Sequence, residues 1–486
     1  MKKPNILIMM TDHQRADSAL PDSPTITPNL DKFASEGATF TEAFCPTAHC
    51  CPARATFFSG LYPSSTGIWN NVLNSQALNK SLNKGVKLWS EDLAEAGYKM
   101  YFSGKWHVCE DERPSDRGWG EELYATAVGG DVHNPSWERF KNLYEEGYES
   151  QERGEGEILR PGYGNVTVYG EKERTEDDHD ETATREAVKA LSGITEDSDP
   201  WCMYVGLIGP HDPYVVPRKY LDMYPLEDVK LPENYKDDLS DKPYIYKRMR
   251  NQVYDQLTER EAREAVRHFM AYCTYLDDCF GKVLKALEAT GQADNTLVLY
   301  TSDHGDYCGE HGLFAKGVPS FKGAYHVPAV IRWPQGIKNA GRRVDELVSL
   351  ADFAPSFLEL AGCKTDRRFT GSSLVPFLND EKPEKWRDTI FTQLNGVELY
   401  YSQRTAMSKD FKYTFNGFDR DELYDLRTDP DEMINLADNP EYNNIKRRLI
   451  AKMWKFAKDE DDGMINHYIT VGLCPWGPAE AFAEEC

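Results

Sequence analysis

Four apolar runs in this chain each end on residues able to do chemistry. "ILIMM" stops at Asp12, "KMYFSG" leads into Lys105 and His107, "CMYVGLI" into His211, and "LVLYTS" into Asp303 and His304. Short apolar runs bounded in this way read as buried strands. Helical stretches lie between them. "TPNLDKFASEG" puts Thr27 at an N-cap, Pro28 at the first helical position and Gly37 at the end, with Leu30, Phe33 and Ala34 on one face. "VKLWSEDLAEAGYKMYFSGKWH" repeats the pattern, with a helix closing at Gly97 and a strand running into Lys105. If strand geometry persists past Lys105, His107 points to the same side. A long helix is expected at about 257–290, a strand at "VPAVIRWP" and a further helix at "SLADFAPSFLELAG". Strands alternating with helices imply an α/β fold: one large, mostly parallel sheet sandwiched by helices. In such sheets ligands bind beyond the carboxyl ends of the strands. A lone Asp or His there is commonly a turn former, but four strand ends supplying polar residues to one edge predict a site.

At 486 residues the chain exceeds one small core, so a large domain, 1–376, and a smaller one are expected. Residues 110–185 are rich in Glu, Gly, Arg and Asp without periodicity, and read as a loop-rich insertion near the site. "LNDEKPEKW" reads as a linker. The alternating pieces "TIFTQL", "ELYYSQRTAMS" and "FKYTFNG", then a helix at about 440–458, make 377–486 an α+β subdomain with an antiparallel sheet. The net charge of −24 argues against nucleic-acid binding over a broad surface, though not against a small anion in a basic pocket. Eleven cysteines without zinc-finger spacing fit reduced thiols in a cytosol. "ILIMM" is too short for a signal-peptide core, and no run approaches membrane-spanning length. The expectation is a cytoplasmic protein with no membrane association.

Residues 49–60, "HCCPARATFFSG", set two cysteines beside a proline and an arginine. Core thiols, half of a metal site and half of a disulfide are the structural readings. The chemical reading starts from Pro52, which places Cys50 and Cys51 at a helix start, where free N–H groups and the dipole favour an anion. Arg54 adds a planar cationic fork, and Lys105, His107, His211 and Lys316 add further positive charge. Asp12, Asp303 and His304 offer hard oxygens and an imidazole, a set suited to calcium, magnesium or manganese rather than structural zinc. Together they describe a pocket for a tetrahedral dianion or its ester.

"CCPARATFFSG" resembles the signature of the formylglycine-dependent (type I) sulfatases of the alkaline phosphatase superfamily, through Cys50, Pro52, Arg54, Ser59 and Gly60. "GLYPSSTGIWNN", "SGKWH", "GPHDPY", "TSDHGDYCGEHGLFAKG" and "ELYDLRTDPDEMINLA" also resemble that family, in its order, so the likeness runs from Asn5 to about residue 437. It implies an alkaline phosphatase-like catalytic domain, with the C-terminal subdomain completing the substrate pocket. It implies a maturation enzyme as partner, which oxidises Cys50 to formylglycine and leaves Cys51 in the free position. One hydroxyl of the hydrated aldehyde attacks sulfur and the other later expels sulfate.

Carried over by position, the resemblance gives Asp12, Cys50, Asp303 and His304 as ligands of a divalent metal, with calcium first and magnesium or manganese as alternatives. His13 is either a further ligand or a residue behind the ligands. Arg54 would hold oxygens on the metal side, and Lys105 and His107 would contact the formylglycine and the sulfate, with His107 as base. His211 and Lys316 would bind sulfate oxygens and help protonate the leaving oxygen. Asn71, after "GIW", would face the substrate. Asp12-His13 and Asp303-His304 depart from the more common Asp-Asp and Asp-Asn pairs. They resemble the branch holding choline sulfatases, phosphonate monoester hydrolases and some carbohydrate sulfatases.

The expected function is hydrolysis of a sulfate ester on a mono- or oligosaccharide. A phosphonate monoester or phosphodiester hydrolase is the alternative, and a non-catalytic anion- or carbohydrate-binding protein the remote one. "WNN", "KWH" and Tyr400–Tyr401 would suit stacking on a sugar. Arg404 would either grip a uronate carboxylate or form a surface salt bridge.

Overall fold

The computed structural model describes residues 3–74, 76–128, 137–146, 152–160, 164–173, 175–176, 178–195, 198–397, 399–465 and 468–482. Eight strands make the main sheet: β1 (Asn5–Thr11), β2 (Ala38–Phe44), β3 (Lys99–Lys105), β4 (Glu121–Thr126), β5 (Trp201–Gly206), β6 (Thr296–Ser302), β7 (Ala329–Arg332) and β8 (Arg342–Ser349). Their spatial order is β8-β2-β7-β6-β1-β5-β3-β4. Seven run parallel and only β7 opposes them. The first strand of the chain is thus central, paired in register with β6 (Thr11↔Ser302) and with β5 (Met10↔Gly206).

Every residue of β1 is buried, as expected of a strand covered on both faces. The period of two divides its side chains. Ile6, Ile8 and Met10 join the core of α2 (Cys50–Ser59), through Phe57 and Phe58, and of a later helix, Phe353–Leu360. Leu7 and Met9 face the opposite layer: α1 (Pro28–Ser35), α3 (His179–Leu191) and the long α4 (Glu259–Ala289), through Phe33, Ala187 and Phe280.

Thr27 stands at the N-cap of α1, but its side chain accepts no amide hydrogen bond. Asp277 of α4 caps the helix instead, its carboxylate accepting the N–H groups of Asn29 (3.0 Å) and Leu30 (2.8 Å). Capping across the layer ties α1 to α4, a contact local sequence does not encode.

Residues 110–185 are more structured than their composition implies. They supply edge strand β4, a two-stranded hairpin (Glu157–Arg160 with Gly164–Thr167), a strand (Tyr169–Lys172) paired with Tyr214–Pro217, and most of α3. Residues 129–136, 147–151, 161–163, 174 and 177 of that insertion lie outside the described residues.

A separate four-stranded antiparallel sheet follows: β9 (Ile390–Gly396), β10 (Tyr400–Met407), β11 (Phe411–Phe415) and β12 (Glu422–Asp425). It packs on a helix, Asn443–Asp459, around Tyr413, Phe415, Leu449 and Trp454. Gln393 of β9 donates its backbone N–H to Pro46 O at 2.8 Å, which holds this sheet against the segment leading into α2. The ten described cysteines are all free. Among the described residues no helix is long and apolar enough to cross a membrane.

Candidate active site

The carboxyl ends of β1, β3 and β6 meet the start of α2. All ten residues of α2 are buried, so it is a core helix, and Gly60 in the left-handed region ends it. Asn71 accepts the Cys51 N–H at 3.1 Å and Val72 N–H points at Cys51 Sγ at 3.4 Å. The loop after α2 thus pins the helix start, and Asn71, expected to face substrate, holds backbone beside Cys50.

Cys50 Sγ lies 3.3 Å from His304 Nε2 and 3.7 Å from Asp12 Oδ1. Arg54 is fully buried beneath them. Its Nε donates to Asp303 Oδ2 at 2.8 Å, its Nη2 reaches Asp12 Oδ2 at 3.3 Å, and its Nη1 donates to the Tyr204 hydroxyl (2.9 Å) and Lys105 O (3.1 Å). Lys105 Nζ contacts Asp12 Oδ2 directly. Burial opposes ionisation of Asp12 and a Cys50 thiolate adds to that, but Lys105, His211 and Arg54 hold its carboxyl well below the usual range. Burial and the Asp12 charge push Asp303 up, with Arg54 opposing them. For Cys50, burial is outweighed by Lys105, Lys316 and His304, with His107 hydrogen-bonded to the thiol, so its pKa falls well below that of a free thiol. The pocket is built to hold an anion at this position.

Three histidines present the same face to it. His304 Nδ1–H donates to Gly305 O (2.8 Å), His211 Nδ1–H to Asp212 O (2.6 Å), and His13 Nδ1–H to Asp306 Oδ2 (3.1 Å). Each therefore turns Nε2 inward, the arrangement a ligating or anion-facing imidazole needs. Lys316 Nζ lies between two of them, in contact with His13 Nε2 and 3.1 Å from His211 Nε2. His13 is fully buried at φ 66°, left-handed backbone unusual for a non-glycine residue and common at functional sites.

Strand geometry does not persist past Lys105. His107 has φ 49°, and its N–H bonds to Ala127 O beyond the end of β4. Even so, its side chain reaches Cys50, and burial with the nearby Lys105 charge pushes its pKa down to about 4. Its Nδ1 is buried without a hydrogen-bond partner. A close backbone approach makes this turn possible: Gly104 pairs with Gly206, and a Cβ on Gly104 would collide with Gly206 O.

Asp12, Cys50, Asp303 and His304 offer ligand atoms that all lie within 4.8 Å of one another. Asp12, His13, Cys50 and His211 form a second such group, sharing Asp12 and Cys50. Two carboxylates and an imidazole with its lone pair turned inward fit a divalent cation preferring oxygen and nitrogen donors.

Asp306 is a residue the sequence reading missed. Fully buried, it accepts from His13, the Tyr214 hydroxyl (2.8 Å) and Cys308 N–H (2.8 Å), and burial with Asp212 nearby pushes it up to about 7. Its place two residues after His304 was its only signal. His49, directly before Cys50, is also buried, with Nδ1 unpartnered. Arg404 lies elsewhere, inside the C-terminal sheet. It is 2% exposed, its Nε and Nη2 are paired with Asp462, and its Nη1 donates to Leu394 O, Asn395 Oδ1 and Gln403 O. It is neither a surface salt bridge nor free to take a carboxylate.

A mostly parallel sheet carrying an acid, thiol and imidazole pocket at its carboxyl edge places the protein among hydrolases of the alkaline phosphatase type. The family profile described as Sulfatase matches residues 4–363, and the chain belongs to the sulfatase family, hydrolases of sulfate esters. A second profile, N-sulphoglucosamine sulphohydrolase, C-terminal, matches residues 309–459. The choline-sulfatase of Rhizobium meliloti is 31% identical over 457 residues, covering 90% of this chain and 83% of that protein. The N-acetylglucosamine-6-O-sulfatase of Bacteroides thetaiotaomicron is 26% identical over 532 residues, covering 95% and 87%. The crystal structure of the phosphonate monoester hydrolase of Agrobacterium radiobacter superposes with a TM-score of 0.75 at 24% identity, covering 94% and 96%.

Proposed function

We propose that the protein hydrolyses the sulfate ester of a sulfated carbohydrate, with a formylglycine made from Cys50 and a divalent cation, calcium first. The observation that carries this reading is the Cys50 position, an anion-holding point at a helix start between two lysines and a ring of imidazoles. The family assignment and the likeness to an N-acetylglucosamine-6-O-sulfatase support the choice of substrate.

Asp12, Asp303 and His304 would hold the cation beside residue 50, with His13 at its edge. The cation supplies Lewis acidity and lowers the pKa of a neighbouring hydroxyl. Arg54 aims both carboxylates and opposes their protonation. Lys105, Lys316 and His211 bind the sulfate oxygens, where charge grows in the transition state. His211 and Lys316 stand where the leaving oxygen takes its proton, and neutral His107 is the base for release of sulfate. Residues 1–376 form the catalytic domain and 377–486 complete the pocket.

Hydrolysis of a phosphonate monoester or phosphodiester is the second reading. Its support is the fold shared with the phosphonate monoester hydrolase of Agrobacterium radiobacter. Parallel assays of a sulfate monoester and a phosphodiester with one leaving group decide between them. Faster turnover of the diester by matured, metal-loaded enzyme would overturn the sulfatase reading.

A further inference from the structure

The C-terminal sheet carries an aromatic cavity that the sulfate chemistry does not use. It has a volume of about 350 Å³, and its walls include Leu78, Tyr400, Phe418 and Leu473, with Asn395 and Tyr401 below. Phe418 is 72% exposed and Tyr400 61%, and the Phe418 ring packs edge-on against Tyr401 at 5.4 Å. Exposed apolar groups that gather around one cavity mark a binding surface rather than scattered residues. Among the described residues that line it, none carries a charge, in a chain where 28% of residues are charged.

Two polar groups below this surface are left over. Asn395 and Tyr401 are each 98% buried, and neither Asn395 Nδ2 nor the Tyr401 hydroxyl has a hydrogen-bond partner. The amide orientation of Asn395 is fixed, because Arg404 Nη1 donates to its Oδ1 at 3.0 Å. What Asn395 has left to offer is the Nδ2 donor pair. Such groups are costly to bury unpaired and pair with a ligand where one binds. Aromatic faces, an unpaired buried hydroxyl, an unpaired amide donor and no charge match a neutral ring that is apolar on its faces and hydroxylated at its edge.

The cavity is one loop from Cys50. That loop leaves α2, gives Asn71 to the Cys51 N–H, ties Gln76 Nε2 to Val397 O (3.1 Å) and ends at Leu78 on the cavity wall. From the other side, Arg404 lies over the Trp69 ring at 5.3 Å while it holds Asn395.

We infer that this cavity is a subsite for an unsulfated, uncharged sugar ring of the substrate, a unit away from the sulfated one. The inference rests on the sulfated-carbohydrate reading and narrows it to oligosaccharides with a neutral neighbour. Arg404, with its guanidinium paired to Asp462, is the positioning residue that sets the Asn395 amide.

The test is saturation-transfer NMR and calorimetry on the full chain with neutral disaccharides (lactose, cellobiose and N,N′-diacetylchitobiose). It needs no turnover, so a matured, metal-loaded chain that binds a neutral disaccharide but hydrolyses no sulfate ester sinks the sulfatase reading and leaves the sugar site standing. At least one disaccharide should bind at about 10 mM, where sites of millimolar Kd fill. Tyr400→Ala and Phe418→Ala should each weaken binding by about five-fold, the size of one lost ring contact. Both side chains are exposed, so these variants keep the fold. No binding by any of the three, or binding that both variants leave intact, overturns the inference. So does a dimer in sedimentation that Phe418→Glu dissolves, since a second copy would then cover the patch.

Discussion

Arg54 and Asp303 are joined at the base of the site, Nε to Oδ2 at 2.8 Å, while the same guanidinium reaches Asp12. One side chain thus clamps the ends of β1 and β6. Arg54→Ala leaves two buried carboxylates facing each other, and stability should fall by about 3–5 kcal/mol in urea unfolding. Arg54→Lys keeps the charge but not the fork, so kcat/KM should fall by about 100-fold or more. Wild-type kinetics in Arg54→Lys would show that the clamp is not needed for turnover.

Cys50→Ala should lose all turnover with its melting temperature nearly unchanged. Cys51 differs, since it is fully buried and its sulfur faces the Val72 N–H. Cys51→Ala should keep its activity and lose about 1 kcal/mol of stability for the small cavity it leaves. Sulfate release and thermal melts on both variants check this, and an active Cys50→Ala would contradict the assignment.

Chelation should stop turnover and lower the melting temperature, because a cation bound only by the folded chain would stabilise it. Calcium or magnesium should restore both. Asp303→Asn should weaken metal affinity by about ten-fold or more, read by calorimetry on metal-free protein. Full activity of rigorously metal-free enzyme is the outcome that would refute it.

His107→Ala should separate attack from release. With a pKa near 4 the imidazole is neutral at pH 7 and free to take a proton. Without it, leaving alcohol should appear in a burst of about one per site, then slowly. A mass gain of one sulfate on the Cys50 peptide should accompany the burst. A folded variant with wild-type turnover and no trapped sulfate would remove His107 from this role.

His326 predicts a pH dependence of stability away from the site. Burial, then the nearby Lys322 charge, push its pKa down to about 3, while its Nε2 bonds to Thr41 O at 2.8 Å. The unfolded chain binds that proton near pH 6.5 and the folded chain does not. Its contribution is therefore complete above about pH 6.5 and is lost as pH falls from there towards 3, at up to about 1.4 kcal/mol per pH unit. His326→Gln should flatten the melting temperature between pH 6.5 and 4 relative to wild type. An unchanged slope would mean the ring titrates normally.

The site was legible where chemistry sits at the end of an apolar strand. Asp12, Asp303 and His304 follow β1 and β6 directly, and the strand period alone sends them to one edge. Asp306 was not legible, because its importance comes from a tautomer it imposes on His13, nearly three hundred residues away. Arg404 was misread for a related reason: sequence shows a cation in a strand, but not Asp462 folding back to pair with it. The helices of 110–185 were hidden by composition, since the covering face of α3 needs only Ala183, Ala187 and Leu191 to be apolar. Thr27 had the right position for a cap, but Asp277 occupies the amides it would have served.

The register of β1 has a consequence for how the protein is made. The central strand β1 leaves the ribosome well before its partner β6, which follows about 290 residues later. At about 5–20 residues per second, roughly 15–60 s pass before the two can pair. Until they do, Asp303 and His304 do not exist to close over residue 50. Cys50 has no exposed surface in the folded molecule, so the maturation enzyme proposed above would have to reach it within that interval. The proposed conversion of this thiol would thus be a race against the completion of the sheet, and slower elongation between residues 60 and 300 should raise the modified fraction.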